Sequence, residues 1–380
     1  MGATILLFLI PLFAWVLIAK VKYHHEFSWF EMGIQGALTA IVITLLSMAG
    51  YHSQTADVML VNGVVTDTNA QRESCNQFWR DWPDSFCTNQ QTRQVRDGQT
   101  CTTDSKGKRT CTPRYKTQYR SVYPWEIRYF VSSDIPSSYE IRRVDAQGTI
   151  TPPRFAEIEL GDPVTMEVSY SNYIKGAADT LFNQKLEDVP PIAYPSTYDY
   201  YKSRRVIYFG VQADSETVEQ WNEDLSVLNS EIRNTRANVI INVVSGDQNW
   251  AEGLAQAWDA HNINDVVVSI GVEQNRIQWV DVRSWSENEM VDIVIRDEIL
   301  AIGTIDPVRI NDVIKSAVTQ HFVMQDMSDF EYLADDIPPP TWLYVIAGII
   351  LLIITPVTTI FLTRNDIRDG KMPFNRYNRY

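Results

Sequence analysis

Apolar and polar positions divide this chain of 380 residues into three long apolar runs and a mixed middle. Residues 3–19, 32–50 and 342–362 are apolar over lengths at or near what a membrane-spanning helix needs. Pro11 interrupts the first run, and neighbouring helices can accommodate such a break. Phe27, Trp29, Phe30, Trp342 and Tyr344 flank the runs as interfacial aromatics do. Gly33, Gly36 and Ala37 give the second run a small face for helix packing. The pattern predicts three transmembrane helices, two of them close together at the start.

Between the second and third runs the period of the pattern changes repeatedly. Residues 206–211 form a short apolar run suited to a buried strand. Val218, Trp221, Leu225, Leu228 and Ile232 then recur at steps of three and four, one face of a helix opened by Asp214 or Ser215. Residues 238–244 are rich in β-branched side chains and predict a second strand. A short helix over 249–260 turns Trp250, Leu254, Ala257 and Trp258 inward, and 265–270 is a third strand. The chain turns at 273–275 and returns as a hairpin over 276–282. Ser286 and Glu289 have capping-box spacing for a helix to about residue 301. Asp306-Pro307 opens the last helix, which buries Ile310, Val313, Ile314, Ala317 and Val318. This order predicts a compact α/β unit, in a chain of overall α+β or α/β class.

Residues 58–150 read as β-rich. Asn62-Gly63 is a hairpin-turn signal, residues 112–122 and 125–131 are strand candidates, and 162–174 is a further extended run. Pro190, Pro191 and Pro195 mark a linker, and residues 338–340 form a stiff proline spacer before the third apolar run. The predicted division is a transmembrane hairpin over 1–50, a β-rich module over 51–195, an α/β domain over 196–337, a transmembrane helix over 341–363 and a basic tail over 364–380.

Charge and cysteine orient these pieces. Lys20, Lys22 and the tail residues Arg364, Arg368, Lys371, Arg376 and Arg379 read as cytoplasmic by the positive-inside rule. Residues 51–340 then lie outside, in the periplasm if the membrane is a bacterial inner membrane. Cys75, Cys87, Cys101 and Cys111 all fall in that segment, as disulfides in an oxidising compartment would. Three pairings are open. Cys75–Cys87 with Cys101–Cys111 is favoured because the second closes a polar hairpin tip over 102–110. The spacings exceed those of zinc knuckles. The net charge of −14 is concentrated in residues 151–340, with 32 acidic and 13 basic side chains, and it argues against a nucleic-acid ligand.

Candidate chemistry is sparse. The chain has no Ser–His–Asp, Walker or HExxH pattern. Asp265, Asp281, Asp306 and Asp312 lie near strand or helix ends, and Ca²⁺ or Mg²⁺ would need several such oxygens to converge. Asp306 has a specific alternative role as a helix cap, which leaves Asp265, Asp281 and Asp312 as metal candidates. His261 could act as a general base or interact with a helix C-terminus. His321 reads as a packed histidine, and His24-His25 as a solvated loop.

Two resemblances add to this reading. Ala255-x-x-Trp258, Asn264-Asp265 with the valines behind it, Arg276-Ile277-Gln278-Trp279-Val280 and Asp312 make residues 206–322 similar to TPM domains. These are phosphatase-like units commonly tethered by a helix just after the domain. The family carries glycines where this chain has Asp259 and His261, and glycine lets backbone approach a ligand closely. Asn62-Gly63-Val64-Val65, the cysteine cluster, Asn172-Tyr173-Ile174-Lys175, Tyr194-Pro195 and Tyr198-Asp199 resemble membrane proteins of tailed bacteriophages. The expectation is a membrane-anchored extracytoplasmic scaffold without catalytic residues. It would contact the lipid bilayer and either an envelope or virion protein or a second copy of itself. The alternative implied by the TPM resemblance is a divalent-metal-dependent phosphatase-like hydrolase, with Ca²⁺ or Mg²⁺ as cofactor.

Overall fold

The structure is a computed structural model that describes residues 2–24, 26–74, 90–103, 109–121, 125–135, 138–141, 153–177, 192–335, 337, 340–364 and 367. It opens with α1 (Gly2–Tyr23) and α2 (Trp29–Thr55). The Ser28 hydroxyl accepts the Glu31 N–H at 3.1 Å and so caps α2, which therefore starts before the apolar run and buries Glu31 in its first turn. Without an intervening loop, α2 gives way to β1 (Ala56–Ser74).

The β1 strand continues straight through Asn62-Gly63, where the sequence pattern predicts a turn. Gly63 is needed for another reason. A Cβ there would run into Asp134 and Ile135, so the glycine permits close approach rather than reversal. The polar strands β2 (Gln90–Thr103) and β3 (Arg109–Ser121) pair antiparallel as a separate two-stranded ribbon. Cys101 and Cys111 face each other in this ribbon and form a disulfide. A ribbon without a third strand is marginal in water, so the cross-link and the pairing reinforce each other. The other expected pair, Cys75–Cys87, lies outside the described residues. So does most of the tail, and Pro338 and Pro339 of the spacer.

β4 (Trp125–Ser133), β5 (Ser138–Ile141), the short helix α3 (Pro153–Ala156) and β6 (Pro163–Ser171) follow. They complete an antiparallel sheet of order β5-β4-β1-β6. Its inner face gathers Val65, Tyr129, Val131, Ile135, Val164 and Met166. The turn α4 (Tyr173–Gly176) and the two-residue strands β7 (Thr197–Tyr198) and β8 (Lys202–Ser203) lead into the α/β unit.

That unit runs β9 (Val206–Phe209), α5 (Ser215–Glu231), β10 (Asn238–Val244), α6 (Asn249–Ala257), β11 (Asp265–Glu273), β12 (Arg276–Ser284), α7 (Met290–Ile302) and α8 (Pro307–His321). β9, β10 and β11 are parallel, and β12 returns antiparallel through a two-residue turn. Gln274 and Asn275 both have positive φ there, as that tight hairpin turn demands. Asp214 caps α5 by accepting the Thr217 N–H, and Asp306 caps α8 by accepting from Arg309. The Ser286 capping box does not form. The Ser286 hydroxyl instead accepts from Asn288 and Val323, tying the segment to the end of α8, and α7 starts at Met290.

β10 separates two layers. Val239, Ile241 and Val243 face a large apolar core with α5, α7 and α8, whereas Ile240 faces α6 with Leu254, Trp258 and Val267. α5 and α6 thus cover opposite faces although β9, β10 and β11 follow one another in one direction. The two crossovers therefore have opposite hand, against the strong preference for right-handed connections. The chain then packs its short turn Met327–Asp335 against α4 and ends in α9 (Thr341–Arg364).

α9 packs against both α1 and α2. Thr359 Oγ1 accepts from Trp15 Nε1 at 3.0 Å and from Gln35 Nε2 at 2.7 Å, so one hydroxyl ties the three helices. Among the described residues, two helices, α2 and α9, are long and apolar enough to cross a membrane.

Candidate functional site

The first half of β1 has two edges. Thr55 O accepts from Asn172 N and Val65 N donates to Asp162 O, so its odd-numbered residues bond to β6. The even-numbered backbone groups face away, toward the α/β unit. There Val58 O accepts from Asn262 Nδ2 at 3.2 Å and Leu60 O from Asn264 Nδ2 at 2.8 Å. Asn62 sits one step further along and donates its own Nδ2 to Ala237 O at 3.3 Å. Side-chain amides thus satisfy a strand edge that would otherwise lie buried and unpaired.

Arg205 lies behind that row, at the start of β9, and is only 1 % exposed. Its Nη1 donates to the Asn62 and Asn238 side-chain oxygens, and its Nη2 to Thr165 Oγ1 at 3.2 Å and Ser226 Oγ at 3.4 Å. The Asn238 amide then points its Nδ2 at Asp265 Oδ1, 2.8 Å away. One asparagine therefore bridges a buried guanidinium and a buried carboxylate. Asp265 also accepts from Tyr194 OH at 2.9 Å and from Asn262 N at 2.9 Å.

Burial dominates the electrostatics. It pushes the Asp265 carboxyl up to about 7, against the pull of its three hydrogen bonds. It lowers the Arg205 guanidinium to about 10, with Tyr194 and Asp265 acting in the other direction. The Tyr194 phenol is held well above its ordinary value, first by burial and then by the Asp265 charge. Asp265 can therefore take up or release a proton near neutral pH while Arg205 stays cationic.

Tyr194 also lines a cleft of about 310 Å³ at the mouth of this network. Asp57, Glu167, Lys175, Trp258 and Asn262 complete its polar and aromatic wall. Lys175 Nζ bonds Asp57 Oδ1 at 2.9 Å, and Asn172 Nδ2 bonds the other carboxylate oxygen at 2.8 Å. Asp57 lies two residues past the end of α2, so the cleft opens beside that helix end.

The far wall is a turn of unusual backbone. Asp259, Ala260 and His261 have φ of 48°, 68° and 51°, three successive non-glycine residues in the left-handed region. Each costs on the order of 1 kcal/mol relative to glycine. The turn thus keeps a backbone that glycine adopts most readily while carrying larger side chains. Trp285 Nε1 donates to Ala260 O at 2.9 Å and pins the turn. Burial, with Arg283 nearby, drives His261 down to about 3, so its imidazole is neutral at physiological pH.

Of the aspartates singled out from sequence, only Asp265 belongs to this site. Asp281 lies on β12 opposite Ser269, four residues along β11 from Asp265, a span of about 13 Å. It accepts from Arg283 Nε at 2.7 Å. Asp312 is exposed on α8, and Asp306 is the cap of that helix. Among the described residues no group of three or more His, Cys, Asp or Glu side chains could hold a metal ion. Four of the short motif pieces do converge on the junction: Asn62, Asn172 with Lys175, Tyr194, and Asn264-Asp265. Sequence reasoning missed Arg205 and Asn238. The available signal was the asparagines at 229, 238, 262 and 264, next to strand or helix ends, together with Asn62 inside β1.

In comparisons with known proteins, the chain matches no protein-family model, no curated protein and no solved structure.

Proposed function

We propose that the chain is a membrane-anchored binding scaffold that holds a TPM-like α/β unit outside a bacterial inner membrane. In this reading α1 joins α2 and α9 as a third spanning helix, residues 56–340 face the periplasm, and Arg364 begins the cytoplasmic tail. The observation that carries the proposal is the direct passage of α2 into β1, whose outer edge is bolted to the α/β unit by Asn262, Asn264 and Asn62. A head coupled this rigidly to its anchor suits presentation of a fixed surface to an envelope or virion protein, or to a second copy. The metal-dependent hydrolase reading has no comparable support, because its three aspartates lie apart.

Site-specific photo-crosslinking in native membranes tests the proposal. A photoreactive residue at Ala193, in the cleft wall, is expected to give one discrete adduct with a partner or with a second copy. The same residue at Glu298, on the exposed face of α7, is expected to give none. Absence of a discrete adduct from cleft positions would sink the scaffold reading.

A further inference from the structure

The geometry points to a second cleft, between α5 and the β7–β8 hairpin, as the seat for a lysine or arginine side chain of a partner polypeptide. This cleft has a volume of about 330 Å³, within the range of small-ligand sites. The inference rests on the partner-binding reading above and adds the chemistry of one contact.

Charge gives the sign of the ligand. Glu157, Asp162 and Glu223 line the cleft together with Glu219, which is paired with Arg204, and the one cation in the lining is Lys202. Among the described residues no cation lies within ion-pair distance of Glu157 or Glu223. Burial pushes the Tyr198 and Tyr201 phenols up, and the carboxylates around them push further.

An independent feature is the Ser203 hydroxyl. Ser203 lines the same cleft, is 4 % exposed, and its Oγ has no hydrogen-bond partner. A buried hydroxyl without a partner is costly, and an incoming N–H donor would satisfy it. The rim already shows how a guanidinium is received. Arg204 lies over the Tyr198 ring at 4.9 Å and its Nε approaches Glu219 at 3.3 Å. Arg205 beneath the floor carries the opposing charge. Its Nη2 is bonded to Thr165 and Ser226, which line the cleft, and its Nη1 to Asn62 and Asn238, while its Nε has no partner. The carboxylates supply the counter-charge for a cationic tip, and the Ser203 hydroxyl supplies an acceptor for one of its N–H groups.

Calorimetry on the full chain in zwitterionic-lipid nanodiscs tests this, with acetyl-trilysine amide as the probe. Saturable one-site binding is expected, at least tenfold weaker in an E157Q/E223Q variant and about threefold weaker in Ser203→Ala. A D312N/E298Q variant removes the same charge elsewhere and should bind as the parent does. The proposal is overturned by no saturable binding up to millimolar probe, by undiminished binding in E157Q/E223Q, or by equal weakening in D312N/E298Q. Free spermidine binding as tightly as the peptide would also overturn it, by removing the polypeptide from the recognition. Failure here with cleft adducts still formed at Ala193 would move the contact elsewhere and leave the scaffold reading standing.

Discussion

Strand β10 takes part in two kinds of contact. Along its length Val239, Ile241 and Val243 enter an apolar core with Trp221, Ile295 and Ile314, where shape and volume do the work. At its first residue Asn238 enters a polar junction, where every contact is a directed hydrogen bond around Arg205 and Asp265. The first region can be repacked with other apolar side chains at modest cost. The second cannot, since removal of one partner strands a buried charge or amide. The apolar core makes the α/β unit a unit, and the polar junction sets how that unit sits on β1.

The sharpest way to break this contrast is Arg205→Ala. It should lower the stability of the head by about 3–5 kcal/mol, whereas the core swap Ile241→Val should cost only about 1 kcal/mol. Thermal or denaturant unfolding in detergent checks both. Equal costs would mean that the junction is no more exacting than the core.

A pH series comes next. The Asp265 carboxyl titrates near 7 in the folded chain and near 4 when unfolded. Protonation therefore favours the folded state. The stabilisation is complete below pH 4 and is lost as pH rises toward 7, by up to about 1.4 kcal/mol per pH unit. Asp292 is also pushed up, to about 6, by burial, so the informative quantity is the slope that disappears in Asp265→Asn. An unchanged slope in that variant would remove Asp265 from the account.

Gly63→Ala probes the packing beside the junction. Its Cβ would meet Asp134 and Ile135, so a loss of about 1–3 kcal/mol is expected from overpacking. A neutral result would show that β1 shifts freely there. The smallest expected effect has the opposite sign. Ala260→Gly should stabilise the chain by about 1 kcal/mol by relieving a left-handed alanine, and a melting curve shifted downward would contradict that.

The same contrast explains what the sequence made legible. The α/β unit was readable because Val218, Trp221, Leu225, Leu228 and Ile232 repeat with helical period and the strands are unbroken β-branched runs. Asp214 and Asp306 were readable as caps because capping is local. β2 was not, since its residues are polar on both faces and alternate with nothing. Asn62-Gly63 misled, because a dipeptide that favours a turn in isolation was used here for a buried amide and a close approach. The junction was least legible of all. Arg205 just precedes β9, Asn238 opens β10 and Asp265 opens β11, and nothing local announces that Arg205 and Asp265 meet through Asn238. Asp265, Asp281 and Asp312 looked alike in sequence, yet one is buried, one is ion-paired and one is solvated.

Hydrogen exchange of the full chain in nanodiscs, compared with Asn62→Ala, tests most directly whether the junction welds β1 to the α/β unit. Amides of residues 56–64, of the 259–265 turn and of the start of β10 are expected to lose protection together and by a similar factor. Loss confined to residues 56–64, with the turn and β10 as protected as in the parent, would show two bodies in contact rather than one and would contradict the central claim.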